Sequence, residues 1–171
     1  MVNKDMSKVQ KLTLSAMIIA LYVTVMYCTQ SFSFGAYQIR IATSMYALSY
    51  LFPFLVLPLG LANFIANMLF GGLGLLDMVG GCLVGIVTSS LIVGIRKLHW
   101  NRLLIILPIV LIPGLGVSIW LSYLLQMPYP ALALSLCIGQ IIPAICGVLL
   151  IQVLERVTGK THKNNIRRQK V

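Results

Sequence analysis

Residues 41–95 read IATSMYALSYLFPFLVLPLGLANFIANMLFGGLGLLDMVGGCLVGIVTSSLIVGI, and Asp77 is the one formal charge in that run. A helix crossing a bilayer needs about 20 apolar residues, so a run of this length is more than one crossing. Its flanks fix the number. Arg40 precedes it and the basic pair Arg96–Lys97 follows it. If Arg40 lies on one side of the membrane and Arg96 on the other, the run crosses an odd number of times, and three crossings remain: about 41–56, 58–71 and 76–95. Pro53 and Pro58 mark the first turn, and Gly71, Gly72 and Gly74 the second. Two of the three are short for a full span, so tilt or incomplete helix is expected.

The charges outside the run support that assumption. Lys4, Lys8 and Lys11 open the chain, Arg96, Lys97 and Arg102 interrupt it, and Arg156, Lys160, Lys163, Arg167, Arg168 and Lys170 close it, so Arg40 alone of the 13 basic residues lies outside these patches. Lys and Arg concentrate in cytoplasmic loops, because a charge at the bilayer centre costs several kcal/mol. The patches therefore predict three cytoplasmic stretches. The net charge of +10 reads as topology and excludes a nucleic-acid footprint. With 59% apolar residues, 9% charged residues and a mean hydropathy of +0.96, a soluble globule is excluded as well.

The rest of the chain follows from those patches. The first apolar stretch, Leu12 to Cys28, is longer than the h-region of a signal peptide and no small-residue cleavage site follows it. It is expected as the first span, over about 12–30, with the N-terminus inside. SFSFGAYQIR, residues 31–40, is polar enough for an external loop. Spans at about 103–124 and 131–154 complete the set, joined outside by Gln126 to Pro130. The fold class is thus an all-α integral membrane protein, a six-helix transmembrane bundle with both termini cytoplasmic. Residues 1–11 form a basic N-terminus, 12–155 the transmembrane domain, and 156–171 a basic tail, frayed or disordered after Gly159. Cys28, Cys82, Cys137 and Cys146 lie in apolar segments without C-x-x-C spacing, so buried packing is expected of them and no metal is called for.

Function is sought where the bilayer is most hostile. Asp77 is the one acid between residues 12 and 154, and with Arg40 it maps to the external half. Three roles stay open: an Arg40–Asp77 ion pair pinning the loop, Arg40 facing a solute with Asp77 orienting the site, or Asp77 capping the helix after the glycine turn. Gly60, Asn63, Asn67 and Gly71 share one helical face. Their amides serve either helix–helix hydrogen bonding or a solute, with Asn67 nearer the external end. Gly81, Gly85 and Thr88, and Gly114, Ser118 and Ser122, read as packing faces. Gln140 is a lone amide halfway along the last span. Phe34, Tyr37 and Trp120 belong to an external group of aromatics and suit either interfacial anchoring or a stacking pocket for a planar solute. No carboxylate pair, intramembrane His or nucleophile–base motif is present, so an enzyme is not expected. Ala16 and Ala20, four apart with Thr13 and Thr24 on the same face of the first span, would let another helix approach closely.

Two stretches then carry a family resemblance. FGAYQIRI (Phe34 to Ile41) and PLGLANFIANMLFGGLGLLDMVGG (Pro58 to Gly81) resemble the QueT family of queuosine-precursor transporters, and A-x-x-x-A on the first helix resembles substrate-binding S components of energy-coupling factor (ECF) transporters. The match covers about residues 12–95 and is weaker over 103–154. It implies a solute site with Gln38, Arg40, Asn67 and Asp77 as matching positions. It also implies import of a 7-deazaguanine in a bacterial plasma membrane, driven by a transmembrane coupling subunit and two ATPases that dock beside Ala16 and Ala20. The chain has no Walker glycine loop, so ATP belongs to the partners and no cofactor is expected. Where the family has Ser-Glu after Arg-Ile, this chain has Ala42-Thr43, and where it tends to carry acids near Trp120 and at Gln140, this chain has none. The loss of acids points to a solute less basic than 7-aminomethyl-7-deazaguanine, such as the 7-cyano form. A standalone secondary carrier, an S component for a different vitamin and a scaffold or sensor subunit are the alternatives.

Overall fold

The computed structural model describes residues 6–33, 38–71 and 73–168, the side chains of Phe32 and of 158–168 excepted. The described residues form helices of several windings: α1 (Lys8–Cys28), the single turn α2 (Gln30–Ser33), a 3₁₀ segment Ile41–Tyr50, α3 (Val56–Ala66), α4 (Leu75–Lys97), α5 (Ile106–Leu125) and α6 (Tyr129–Arg168). A 3₁₀ turn, Pro53–Leu55, leads into α3, and a π-helical turn, Asn67–Gly71, leads out of it. Among the described residues, five helical stretches are long and apolar enough to cross a membrane: Lys8–Cys28, Pro53–Gly71, Leu75–Lys97, Arg102–Leu125 and Tyr129–Val157.

The sixth expected span differs. Residues 41–56 do not make a membrane-length α-helix; ten of them, Ile41–Tyr50, wind as a 3₁₀ rod. The Thr43 and Ser49 hydroxyls each donate to the carbonyl three residues back, on Arg40 and Tyr46, and so satisfy their hydrogen bonds within the rod. At about 2.0 Å per residue the rod reaches ~20 Å, where an α-helix of the same length reaches ~15 Å. Ala42 through Ser49 are all buried, so the rod is an interior element that touches no lipid along most of its length. Burial within protein is the general condition for backbone of other than α-helical form at membrane depth.

Around the rod the helices pack in chain order, α1 on α3, α3 on α4, α4 on α5 and α5 on α6, and the rod fills the space between α6 and α4. Glycines permit the close approaches. A Cβ on Gly85 would lie 3.1 Å from Gly60 Cα and 3.2 Å from the Tyr46 hydroxyl, and one on Gly147 would lie 3.1 Å from Ala47 Cβ of the rod. Gly114 lies against Cys137; Cys82, Cys137 and Cys146 are half-buried and Cys28 is exposed, so the burial expected of the four cysteines is not met. α1 is peripheral, with Tyr22 and Met26 as its buried residues. It starts on a capping box in which Ser7 and Gln10 exchange backbone–side-chain hydrogen bonds. At the other terminus α6 continues to Arg168, past the Gly159 where the sequence predicts loss of helix. No proline follows Gly159 to stop propagation, and basic residues suit a helix C-terminus.

Side-chain contacts bring the basic patches to one end of the bundle. Arg96 Nη1 donates to the Tyr50 and Leu51 carbonyls at 2.6 and 2.9 Å, gripping the C-terminus of the rod. Arg102 pairs with Glu155 at 2.8 Å, and Lys11 Nζ lies 5.9 Å from the Phe54 ring centroid beside the same junction. Arg40 caps the opposite end of the rod. Asp77 and Arg96, near the two ends of α4, are about 28 Å apart by helical rise. Gly94, by contrast with Gly85, faces open space. Gly85→Val is expected to wedge α3 from α4 and cost about 1–3 kcal/mol, while Gly94→Ala leaves stability equal or higher by up to about 1 kcal/mol; thermal unfolding followed by size-exclusion chromatography checks both.

Candidate solute-binding site

The end of the bundle opposite the basic patches holds a cluster of buried polar groups. Arg40 is 4% exposed and Asp77 1% exposed. Neither carbon-lined surroundings nor lipid could hold these charges, so the arrangement of their partners is the main feature of the site.

Arg40 sits at the N-cap of the rod. Its Nη1 donates to Asn67 Oδ1 at 3.1 Å and its Nε to the Ser33 carbonyl at 3.4 Å. Asn67 opens the π-helical turn, and its Nδ2 donates to the Asp77 backbone carbonyl at 2.9 Å. The amide therefore stands between the two charged residues and links them through the α4 backbone. The Asp77 carboxylate takes a different donor, Trp120 Nε1 of α5, at 3.0 Å onto Oδ1. Its Oδ2 has no hydrogen-bond partner among the described residues. Asp77 lies in the first turn of α4, where the helix dipole favours an acid. It does not cap the helix with its side chain: the N-cap is Gly74, whose φ of +81° admits no ordinary side chain without strain.

Gly80 is what lets Trp120 reach the carboxylate. A Cβ there would lie 2.9 Å from the indole ring, so the bare backbone of α4 receives the ring face. Nothing in the sequence pattern singled out Gly80.

On the other side of the rod Gln140 of α6 holds the approach to Arg40. Its Oε1 accepts from the Thr43 hydroxyl at 2.8 Å and its Nε2 donates to the Gln38 carbonyl at 3.1 Å. Gln38 is buried with φ of +43°, a left-handed backbone held in place by that contact. A carboxylate at 140 would present an acceptor to the Gln38 carbonyl, where the amide presents a donor. Thr43 is a site neighbour that the sequence analysis noted as a departure from a family pattern and assigned no role.

Of the expected residues, the structure gathers Gln38, Arg40, Asn67, Asp77, Trp120 and Gln140 into this one network, and Phe34 and Tyr37 lie outside the described residues. Asn63 serves a different purpose. Its Nδ2 donates to the Tyr46 hydroxyl at 2.7 Å and the Gly81 carbonyl at 2.8 Å, and Tyr46 in turn meets the Tyr22 hydroxyl at 3.3 Å. This second network ties α1, the rod, α3 and α4 beneath the site. The two tyrosines had given no signal, because a lone Tyr in an apolar run reads as packing.

The family model of the QueT transporter matches residues 12–156. The chain belongs to the QueT transporter family. The match runs from the end of the first basic patch to the start of the last, so it takes in the whole bundle and both buried networks. Membership, with the apolar helices, makes the chain a multi-pass membrane protein of a transporter family. Comparison with characterised proteins and with solved structures returns no match.

Trp120→Phe removes the indole N–H and leaves the buried carboxylate short of a donor, a loss expected to cost about 1–3 kcal/mol. Asp77→Asn in the same background recovers part of that loss, since the amide brings its own donors. A double-mutant cycle in thermal unfolding reads the coupling, and additivity of the two substitutions would show that the 3.0 Å contact carries no energy.

Proposed function

We propose that this QueT family member is the solute-binding S component of an ECF transporter, and that its solute is a 7-deazaguanine precursor of queuosine. The observation that carries this reading is the buried Arg40–Asn67–Asp77–Trp120 chain at the end of the bundle remote from the basic patches. The positive-inside rule assigns the basic end to the cytoplasm, which makes the polar cluster externally facing and fit for capture. A flat heterocycle with several N–H donors and ring acceptors suits such a cluster, because a single guanidinium, an amide and a carboxylate offer both kinds of partner. The free Asp77 Oδ2 is the acceptor for a ligand N–H in this reading.

Charge balance supports a neutral ligand within that class. One cation and one anion, Arg40 and Asp77, face the cluster, so a neutral solute leaves the site without net charge. Two of the three places where this chain lacks the family's acids, Thr43 and Gln140, hydrogen-bond each other. Two negative charges are thereby missing from one place, where a protonated aminomethyl group would need them. The 7-cyano form fits better than the 7-aminomethyl form.

Transport follows with the motor on other subunits. The solute is captured externally, the chain reorients in the membrane, and a coupling subunit with two ATPases supplies the work. Thr13, Ala16, Ala20 and Thr24 are exposed on α1, the most peripheral helix, and form the docking face in this mechanism.

Thermal stabilisation of the detergent-purified chain against deazaguanines, purines and vitamins tests the solute assignment. At a ligand concentration of 100 times Kd the folded state gains about 2.7 kcal/mol. A shift with the cyano compound at least as large as with the aminomethyl compound is expected. Arg40→Ala or Asn67→Ala should raise Kd by about tenfold or more, since each tenfold is about 1.4 kcal/mol. The double variant Thr43→Glu, Gln140→Glu should reverse the preference towards the aminomethyl compound. Tighter binding of the aminomethyl compound by the unaltered chain would overturn the neutral-solute assignment, and no shift across the panel would overturn the solute class. Ala16→Trp should abolish uptake in cells while leaving the thermal shift intact, and undiminished uptake would remove α1 as the docking face.

A further inference from the structure

On the outer surface, between α4 and α5 at the basic end, lies an apolar groove of about 450 Å³ that neither buried network uses. Leu91, Gly94, Leu98, Trp100, Leu107 and Leu111 line it. Gly94 is the notable member. It stands in the last turn of α4, where a helical glycine is less favourable than alanine, and a Cβ there would meet nothing within 4 Å. No contact inside the bundle requires it, and its effect is to leave a notch in the groove floor.

Basic residues flank the lining residues Leu98 and Trp100 in sequence. Trp100 is 57% exposed, three residues from the exposed Lys97 and two from Arg102. Arg96 is turned inward to the Tyr50 and Leu51 carbonyls and is not part of this basic flank. Arg102 pairs with Glu155 through Nη1 and remains 47% exposed, so further donors of its guanidinium face outward. Lys97 and Arg102 against a single carboxylate leave this flank positive.

We propose that this groove is a binding site for an anionic phospholipid, with an acyl chain along Gly94 and the phosphate against Lys97 and Arg102. The shape favours an acyl chain over a partner helix. Leu91, Leu98, Leu107 and Leu111 are all exposed, large groove residues, and they hold a partner helix away from the close backbone approach that small residues allow. A single methylene chain enters between them and reaches the notch. The charge favours an anionic headgroup over a zwitterionic one, because basic residues at the membrane surface attract anionic lipid. Trp100 supplies the amphipathic ring that suits the headgroup level.

Trp100 and Trp120 are the two tryptophans of the chain, so Trp120→Phe leaves Trp100 as the sole fluorophore. In nanodiscs doped with lipid brominated on its acyl chains, brominated phosphatidylglycerol should quench Trp100 more than brominated phosphatidylcholine at the same mole fraction. The binding preference should be about fivefold for each basic residue engaged. Lys97→Gln with Arg102→Gln should remove the preference, and Gly94→Leu should weaken quenching by both lipids. Native mass spectrometry of the unaltered chain, released from micelles of equal phosphatidylglycerol and phosphatidylcholine, gives a reading independent of Trp120; retained phosphatidylglycerol that disappears in the Lys97→Gln, Arg102→Gln variant is expected. Equal quenching and equal retention of the two lipids would overturn the proposal, as would a preference that survives the loss of both cations. A photo-crosslinker at Leu91 that joins a second copy of the chain instead of lipid would also overturn it.

Discussion

Arg40 is 4% exposed in a bundle whose flanks are apolar, and a guanidinium in that position must meet acceptors at fixed places. That demand organises the polar end of the molecule. Asn67 supplies one acceptor and passes the connection on to the Asp77 backbone, and Ser33 supplies another from the turn after α1. Three separate stretches of the chain are thereby held in register by one side chain. Without water to take over, a slip of any of them strands a charge, and the cost of that is far larger than the worth of a single hydrogen bond in water.

The 3₁₀ rod carries this constraint through the bundle. Its N-cap is Arg40, and its last carbonyls are taken by Arg96. A cation at the C-terminus of a helix is favourable and one at the N-terminus is not. Arg96 therefore stabilises the rod, whereas Arg40 sits at the N-terminal end and depends on Asn67 and Ser33. The rod also meets α6 through Thr43 and Gln140, and α3 through Tyr46 and Asn63. The same element thus joins the polar site to the end where the basic patches gather.

Two kinds of small residue play different parts in this architecture. Gly60, Gly85, Gly114 and Gly147 have neighbours within van der Waals reach and set the distances between helices. Gly80 makes room for the Trp120 ring and so acts on the Asp77 carboxylate. Gly94 has no neighbour and shapes the outer surface. Helical spacing alone does not distinguish these roles, because each depends on what stands opposite.

The sequence by itself determined that the chain is a helical membrane protein, roughly where its apolar stretches begin and end, and that Arg40 and Asp77 lie away from the basic patches. Hydropathy and charge placement suffice for this because the bilayer penalises each misplaced charge locally, residue by residue. Asn67, Gln38, Trp120 and Gln140 were legible as polar or aromatic groups in apolar surroundings. Their partners were not. Whether Asn67 or Asp77 meets Arg40, that Gln140 faces Thr43 and Gln38, and that Asn63 bonds Tyr46 depend on contacts between residues up to 102 positions apart. The winding of Ile41–Tyr50 was hidden for the same reason. An isolated apolar stretch has the same pattern as a 3₁₀ rod or a short α-helix, and only its burial among α1, α3, α4 and α6, with Arg96 holding its last carbonyls, decides between them.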